Sequence, residues 1–573
     1  MSRSEPLPGP EGYCSSQLIP YLGNKRSLLP RLFPVFERLS DGLPEPRFLD
    51  VFAGSGAVSR LARSMGMRVS ANDWEPYSEA LGSCWLRLRP TDIDRAFGGP
   101  SGLESFLGDW NAMHPLSGRQ SVPESAMGQP YMARWYAPEH TAAPRLGEER
   151  LFYTAENAAF IDRVRTRIEA EYPDPDPGSV GEIYRAVALG AILLEAAVHA
   201  NTSGVFKAFH RGFGGNGRDA LSRILGRMHL EAPILPEAIP AEVFRDDARV
   251  FVGRRSADIA YFDPPYNQHQ YGSNYHMLNT ILRWDGRPMP LGPGLEAELS
   301  RKAGIPVDWK ETRSRFCVKR EARQAIAELL DDCDAASIVF SWNADGHLSG
   351  EDMVELLSKR GRLDIVALDY VSYRGGRQSA SRSARSREYL FVVDTVAAPR
   401  DVELSKRELS DLAARDEAIR STYDPRRVSR VFGLRAGGAA PDEPMDYPEA
   451  STFFRGDLRE PSEQASGMLE ELDAERRRAF FERLNECACR GVGEELDATL
   501  TVARAAIVSG DTAAAKRAYR DAPRLIRKLA HTKYEKEFRL YSARFQDLAV
   551  SLGDGRMAAR LGSLDELIAM RAK

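Results

Sequence analysis

Chemistry in this chain concentrates first in the run DIAYFDPPYNQ, where an apolar, strand-forming stretch ends on Asp263, Pro264, Pro265 and Tyr266. Neither proline can donate a ladder hydrogen bond, and both hold the backbone extended. The Asp263 carboxylate and the Pro264 carbonyl are therefore expected to project together from the carboxyl end of the strand, where open α/β sheets bind ligands. Tyr266 adds a flat face beside these two acceptors. An acceptor pair next to an aromatic platform suits a planar base that carries an amino group, because the acceptors take both amine hydrogens while the ring stacks. A plain proline-rich loop would explain the two prolines but not the carboxylate and the ring that flank them.

A second constellation lies upstream in FLDVFAGSG. An apolar strand carrying Asp50 and Phe52 runs into Gly54 and Gly56 and then into the helical pattern AVSRLARSMG. Glycines at such a turn let backbone approach a ligand closely, with a helix N-terminus beyond it, which is the geometry of a nucleoside cofactor site. The third glycine of a dinucleotide fingerprint is replaced by Ser59 and no Gly-Lys-Thr follows, which weakens NAD and ATP readings. A strand-to-helix turn that uses glycine only for packing fits the same segment. Asp73, 23 residues past Asp50 at the end of RVSAND, stands where an acid can accept from ribose hydroxyls.

The elements that must position these residues follow from periodicity. RFLDVFAG, RVSAND, DIAYFDPPY, ASIVFSWN, LDIVALDYVSY and REYLFVVDTV read as buried strands separated by helical patterns, the signature of a mostly parallel sheet with helices on both faces. About two hundred residues separate the strand at 47–53 from that at 258–263, too many for an ordinary crossover, so a segment at about 90–255 reads as an insertion. It contains the helical patterns ENAAFIDRVRTRIEAEY and EIYRAVALGAILLEAAVHA, with apolar faces of their own. Beyond residue 398 strand signals stop. Residues 402–430 look helical, 434–465 are rich in Gly, Pro and acids and read as a linker, and 466–573 return to helix formers with a break at SGDT near Asp511.

The whole chain has 78 basic and 82 acidic side chains, a formal charge of −4, so any nucleic-acid partner must be met by local positive charge. Two segments supply it. Residues 203–230 hold Lys207, Arg211, Arg218, Arg223 and Arg227 against Asp219, interleaved with Phe206, Phe209 and Phe213 and with a glycine-rich GFGGNG. Residues 371–387 hold Arg374, Arg377, Arg382, Arg385 and Arg387 with no acid. Solvated surface charge is the usual meaning of such runs; beside the motifs above, phosphate contact is the better reading. Six cysteines without CxxC spacing argue against a disulfide framework or a zinc site, and His210 and His276 lack partners at metal-ligand spacing, so no metal is expected. The N-terminus lacks the apolar core of a signal peptide, and no membrane anchor is expected; the default setting is cytoplasmic.

Four motifs in order, YLGNKRSLLP with Tyr21, Gly23 and Lys25, then FLDVFAGSG, NDWEPYS and DPPYNQ, make residues 17 to 396 resemble the Dam-like, alpha-ordered DNA adenine N6-methyltransferases. QYGSNYHMLNTI, SWNADG and REYLFV are similar to the segments that follow catalysis in that family. The resemblance implies a Rossmann-like class I fold dependent on S-adenosylmethionine, with an inserted target-recognition subdomain and a C-terminal helical extension. The boundaries would be a catalytic domain at 1–398 with its insert at about 90–255, a helix and linker at 399–465, and a helical domain at 466–573. It also implies roles. Tyr21 and Lys25 would lie over the methionine part of the cofactor, with Lys25 matched to its carboxylate. Asp50, Phe52, Gly54 and Gly56 would form the cofactor loop and Asp73 would bind the ribose. Asp263, Pro264, Pro265 and Tyr266 would hold a flipped adenine, while Lys207, Arg211, Arg218, Arg374, Arg377, Arg382 and Arg385 would contact DNA. A cognate restriction endonuclease or defence-system subunit is the further partner such an enzyme would meet through its C-terminal helices. Methylation of an amino group in RNA, and a DNA-binding defence subunit with a decayed site, are the alternatives.

Overall fold

The computed structural model describes residues 6–115, 130–214, 218–285, 303–344, 346–369, 387–437, 446–530 and 532–571. Its centre is a seven-stranded sheet: β1 (Arg47–Asp50), β2 (Arg68–Asn72), β3 (Glu242–Phe244), β4 (Ser256–Phe262), β5 (Asp334–Asn343), β6 (Arg362–Asp369) and β7 (Arg387–Asp394). The order across the sheet is β3-β2-β1-β4-β5-β7-β6. The first five of these neighbours pair in parallel, and β7 runs antiparallel between β5 and β6. Six strands lie where the apolar runs placed them. β3 escaped notice because three residues, EVF, are too few to show a period.

Register brings the carboxyl ends of β1 and β4 level, with Asp50 opposite Tyr261, so Asp263 emerges beside the glycine turn that follows β1. One face of the sheet is sealed by the helix Leu29–Ser40, whose Phe36 meets Phe48 and Tyr261 edge-on at ring separations of 5.1 and 5.9 Å. The helix Ala57–Ser64 buries Arg60 and Arg63, which is tolerable because their guanidinium groups donate to backbone carbonyls of Tyr13, Ser16, Gln17, Trp85, Leu88 and Ile239.

The insertion is not a subdomain with a core of its own. Its helices Ala155–Glu171 and Val180–Val198 share one apolar cluster with Tyr77, Leu81 and Trp85 of the helix Pro76–Trp85 and with Leu278 and Ile281 of the helix His276–Arg283. Gly190 permits the closest of these approaches; a Cβ there would sit 2.7 Å from Cys84 Cβ. The insert also ends earlier than about 255, since β3 at 242–244 belongs to the sheet.

The described chain divides into two compact units, one running to residue 406 and the other from 407 onward. In the second, Tyr423, Phe432, Phe453, Phe454, Leu458 and Phe480 form one apolar cluster. This corrects the expected linker: within 434–465, Phe453, Phe454 and Leu458 are core residues, and averaging over Gly, Pro and acids hid them. The helices Val492–Val508, Thr512–Ala518, Ala522–Lys528, Glu535–Ser551 and Gly555–Arg571 enclose a separate cluster around Leu496, Tyr519, Ile526 and Phe545.

Candidate active site

A cavity of about 1210 Å³, counting its open mouth, lies at the carboxyl ends of β1, β2 and β4. Tyr21, Lys25, Asp50, Phe52, Gly54, Asp73, Asp263 and Pro265 all line it, so residues far apart in sequence converge on one site. Gly56 lies outside the lining; with φ +78° it turns the chain into the helix Ala57–Ser64.

Gly54 is the tightest point of the loop. Its φ is +54°, and a Cβ would stand 2.7 Å from Tyr21 Cε1. Tyr21 is held there by stacking on Tyr275, with ring centroids 4.7 Å apart, and by a 3.0 Å hydrogen bond between its hydroxyl and that of Tyr77. Asp73 accepts from the Gly54 and Glu75 amides at 2.8 and 2.9 Å, which fixes its carboxylate on the cavity wall. Burial raises its pKa to about 6.

Asp50 carries the strongest sign of a missing partner. It is 1% exposed, its Oδ2 accepts from Ser59 Oγ at 2.6 Å, and its Oδ1 has no hydrogen-bond partner among the described residues. Burial pushes its pKa up to about 7. An orphaned buried carboxylate oxygen on a cavity wall suits a cationic or N–H donor brought by a ligand.

At the end of β4, Asp263 Oδ1 receives the Tyr266 hydroxyl at 2.8 Å and the Lys25 ammonium at 2.9 Å. Lys25 Nζ also donates to Tyr266 Oη and pairs with Glu388 Oε1 at 2.6 Å. Glu388, 2% exposed, is held in turn by the Ser341 hydroxyl at 2.5 Å. Burial works against the ammonium of Lys25, but Asp263 and Glu388 outweigh it and keep it firmly charged. For Asp263, burial raises the pKa, Lys25 pulls it back and Glu388 pushes it up again; the net direction is upward. Asp263 Oδ2 and the Pro264 carbonyl accept no hydrogen bond among the described residues, leaving two acceptors available. The Tyr266 carbonyl accepts from the His347 amide at 2.8 Å, and its ring lines a smaller apolar hollow with Pro264, Phe340 and Trp342.

Lys25 lines the cavity and also takes part in this buried network. It is 4% exposed, with two carboxylates on its ammonium. Sequence reasoning also missed Glu388, Glu75 and the Asp246–Asp247–Ala248 turn that follows β3 and lines the cavity. Glu75 accepts from Asn279 Nδ2 at 2.7 Å and Thr312 Oγ1 at 2.9 Å, and burial lifts its pKa to about 7. An Asp-Asp pair after an EVF strand was the available signal for the turn. For Glu388 there was none, since an acid opening a strand is ordinary.

Of the expected DNA contacts, Lys207 and Arg211 are exposed on the 203–214 segment. Phe206 is not: it is buried, with its amide donating to Asn274 O at 2.7 Å, and Phe209 packs edge-on against Phe152 at 5.0 Å. These rings pack against the protein and anchor the segment. His276 is likewise internal, its Nε2 3.0 Å from Phe206 O and its pKa lowered by burial to about 4. The side chain of Arg218, and all of Arg374, Arg377, Arg382 and Arg385, lie outside the described residues. No described helix is long and apolar enough to cross a membrane.

Strand order, glycine turn and acid-lined cavity together define a class I methyltransferase fold of the kind that uses S-adenosylmethionine. Residues 21–98 and 144–307 match the family of D12 class N6 adenine-specific DNA methyltransferases. The chain is 28% identical over 385 residues to the type II methyltransferase M.NlaIII of Neisseria lactamica, spanning 65% of this chain and 98% of that one. It is 27% identical over 378 residues to M.CviAII of Paramecium bursaria Chlorella virus 1, again 65% and 98%. M.FokI of Planomicrobium okeanokoites is 25% identical over 377 residues, but only 52% of its length is spanned. The enzyme is a DNA methyltransferase specific for adenine.

Proposed function

We propose that the chain is a Dam-like, alpha-ordered enzyme that methylates the N6 amine of an adenine turned out of duplex DNA, with Asp263, Pro264, Pro265 and Tyr266 as the base-holding group. The observation that carries this reading is the network at the end of β4. Asp263 Oδ1 is saturated by Lys25 and Tyr266, while Oδ2 and the Pro264 carbonyl are left as an acceptor pair beside the cavity.

The residues present fit S-adenosylmethionine. Asp50 Oδ1 wants a donor such as its ammonium, Asp73 is placed to accept from ribose hydroxyls, and the Gly54 turn admits it beneath Tyr21. Asp246, Asp247 and Ala248 add a further wall in the manner of an adenosine subsite. Once bound, the cofactor supplies an electrophilic methyl group. The chain's part is to prepare the amine, whose lone pair is delocalised into the purine ring. Two N–H bonds, to Asp263 Oδ2 and the Pro264 carbonyl, favour a pyramidal nitrogen with its lone pair available for in-line attack. Much of the acceleration is then positional and electrostatic. Lys25 and Glu388 hold Asp263 in place throughout, and no cysteine is required.

Arg374, Arg377, Arg382 and Arg385 complete the proposal as phosphate clamps, as do Lys207 and Arg211. A restriction-modification setting, with a separate endonuclease as partner, is supported by relatives that are type II methyltransferases. The test is incubation with unmethylated duplex and labelled cofactor, followed by nucleoside analysis. N6-methyladenine is expected from the wild type and none from Asp263→Ala, which should still bind cofactor. Labelled adenine from that variant would refute the assignment.

A further inference from the structure

The second unit is sharply polarised in charge. Residues 407–511 hold 15 basic and 22 acidic side chains, whereas residues 512–536 hold eight basic and two acidic, a local +6 in a chain of net −4. The basic run coincides with the consecutive helices Thr512–Ala518 and Ala522–Lys528 and the start of Glu535–Ser551.

Helical spacing separates this charge from the core. Ala515, Ala518, Tyr519, Ala522, Leu525, Ile526 and Leu529 are buried, packing the pair of helices onto their neighbours. Lys516, Arg517, Arg520, Arg524 and Arg527 occupy the intervening positions and are all exposed. Arg524, Arg527 and Lys528 stand at i, i+3 and i+4 on one helix, a spacing that brings side chains to one face about 5–6 Å apart at Cβ.

Little of this charge is neutralised internally. Arg517 and Arg524 reach Asp511 and Asp521 only at 3.9 and 4.0 Å, and Lys516, Arg520, Arg527, Lys528 and Lys536 make no ion pair among the described residues. Elsewhere in the same unit arginines are matched closely, as Arg459 with Asp457 at 2.7 Å and Arg427 with Glu494 at 3.0 Å. A face on which eight basic side chains stand against two acids suits a polyanion outside the molecule.

We propose that this stripe is a second DNA-contacting surface, which grips the phosphate backbone without reading sequence. It rests on the reading of the chain as a DNA methyltransferase and assigns a task to the C-terminal helices. Within residues 512–528 the exposed cations are lysines and arginines and the one aromatic ring, Tyr519, is buried in the core, so the chemistry there is phosphate neutralisation and not base stacking. Its effect is to raise affinity for any duplex and leave the choice of target to the catalytic unit.

The test uses the full chain and a triple variant, Arg520→Ala, Arg524→Ala and Arg527→Ala. Binding to a 30-base-pair unmethylated duplex is followed by fluorescence anisotropy from about 50 to 300 mM salt. Each lost phosphate contact should flatten the slope of log K against log salt by about 0.9 and weaken binding about 5-fold at 0.15 M salt. The KM for DNA should rise while kcat at saturating DNA stays at the wild-type value. Replacing the same three arginines by lysine should restore the slope, which separates charge from folding. An unchanged slope in the alanine variant overturns the proposal, as does a loss that lysine fails to restore. If the wild type transfers no methyl group to DNA at all, the methyltransferase reading has failed instead.

Discussion

Glu388→Gln is the most informative single change, because it removes one charge from the buried network and keeps its shape. The Asp263 and Glu388 oxygens bond the same Lys25 nitrogen at 2.9 and 2.6 Å, so they lie no more than about 5.5 Å apart. At an effective dielectric constant of about 20, two such charges repel by about 3 kcal/mol, or about 2 pKa units. Asp263 is 16% exposed, so solvent trims this toward about 1 unit. Glu388 raises the pKa of Asp263, so its neutralisation must lower it. Asp263 should then ionise at lower pH, and the acid limb of the kcat profile should move down by about 1 pH unit. Lys25, left with Asp263 as its one anionic partner, would draw more strongly on the carboxylate that the substrate amine needs. Loss of part of a charge-assisted hydrogen bond, about 1.5 to 3 kcal/mol, predicts a fall in kcat of about 10- to 100-fold near neutral pH. The assay is steady-state methyl transfer from pH 5 to 9, with cofactor affinity measured separately and expected to hold within about threefold, since Glu388 does not line the cofactor cavity. Glu388→Asp should recover both the acid limb and most of the rate. An acid limb that stays in place or moves upward, with kcat intact, would refute the coupling between Glu388 and Asp263.

Two other outcomes follow from the cofactor side. Asp50 and Asp73, raised to about 7 and 6 by burial, stabilise the empty protein at low pH, and that contribution is lost as pH rises through those values. Ligand donors that satisfy the ionised carboxylates should reverse this, so cofactor affinity should rise with pH through that window with release of protons, measurable by calorimetry in two buffers of different ionisation enthalpy. Asp50→Asn should remove most of the pH dependence and weaken binding about 10-fold without lowering the melting temperature of the empty protein. Gly54→Ala combines a strained left-handed backbone, about 1–2 kcal/mol, with displacement of Tyr21. It should cost at least about 10-fold in cofactor affinity; unaltered binding would show that Tyr21 and the turn do not frame the cofactor.

Legibility in the sequence tracked how local the determining interaction is. β1, β2 and β4 to β7 were visible because each carries its own run of apolar residues, and the DPPY and glycine turns were visible because their chemistry is contiguous. β3 was too short to carry a pattern, and with it went the Asp246–Asp247 wall of the cavity. The segment at 434–465 looked like a linker because composition counts Gly, Pro and acids equally, whereas Phe453, Phe454 and Leu458 decide its burial. Phe206 and Phe209 looked like aromatic contacts for a nucleic acid; their neighbours in space, Phe152 and Tyr275, make them anchors.

The sequence by itself determined that a strand would deliver Asp263 and its prolines to the carboxyl end of a largely parallel sheet, where a glycine turn and Asp73 line the same cavity. Those are consequences of hydrophobic period and turn chemistry within a few residues. Only the tertiary structure decided the electrostatic state of that aspartate. Because β7 runs antiparallel beside β5, its first residues lie at the carboxyl ends of the parallel strands, with Glu388 opposite Asn343. That reversal carries an acid from the far end of the catalytic unit to the same ammonium that Asp263 holds. Lys25, which by charge alone suited a ligand, is thereby claimed by two buried carboxylates, since an ammonium out of water requires partners wherever the fold supplies them.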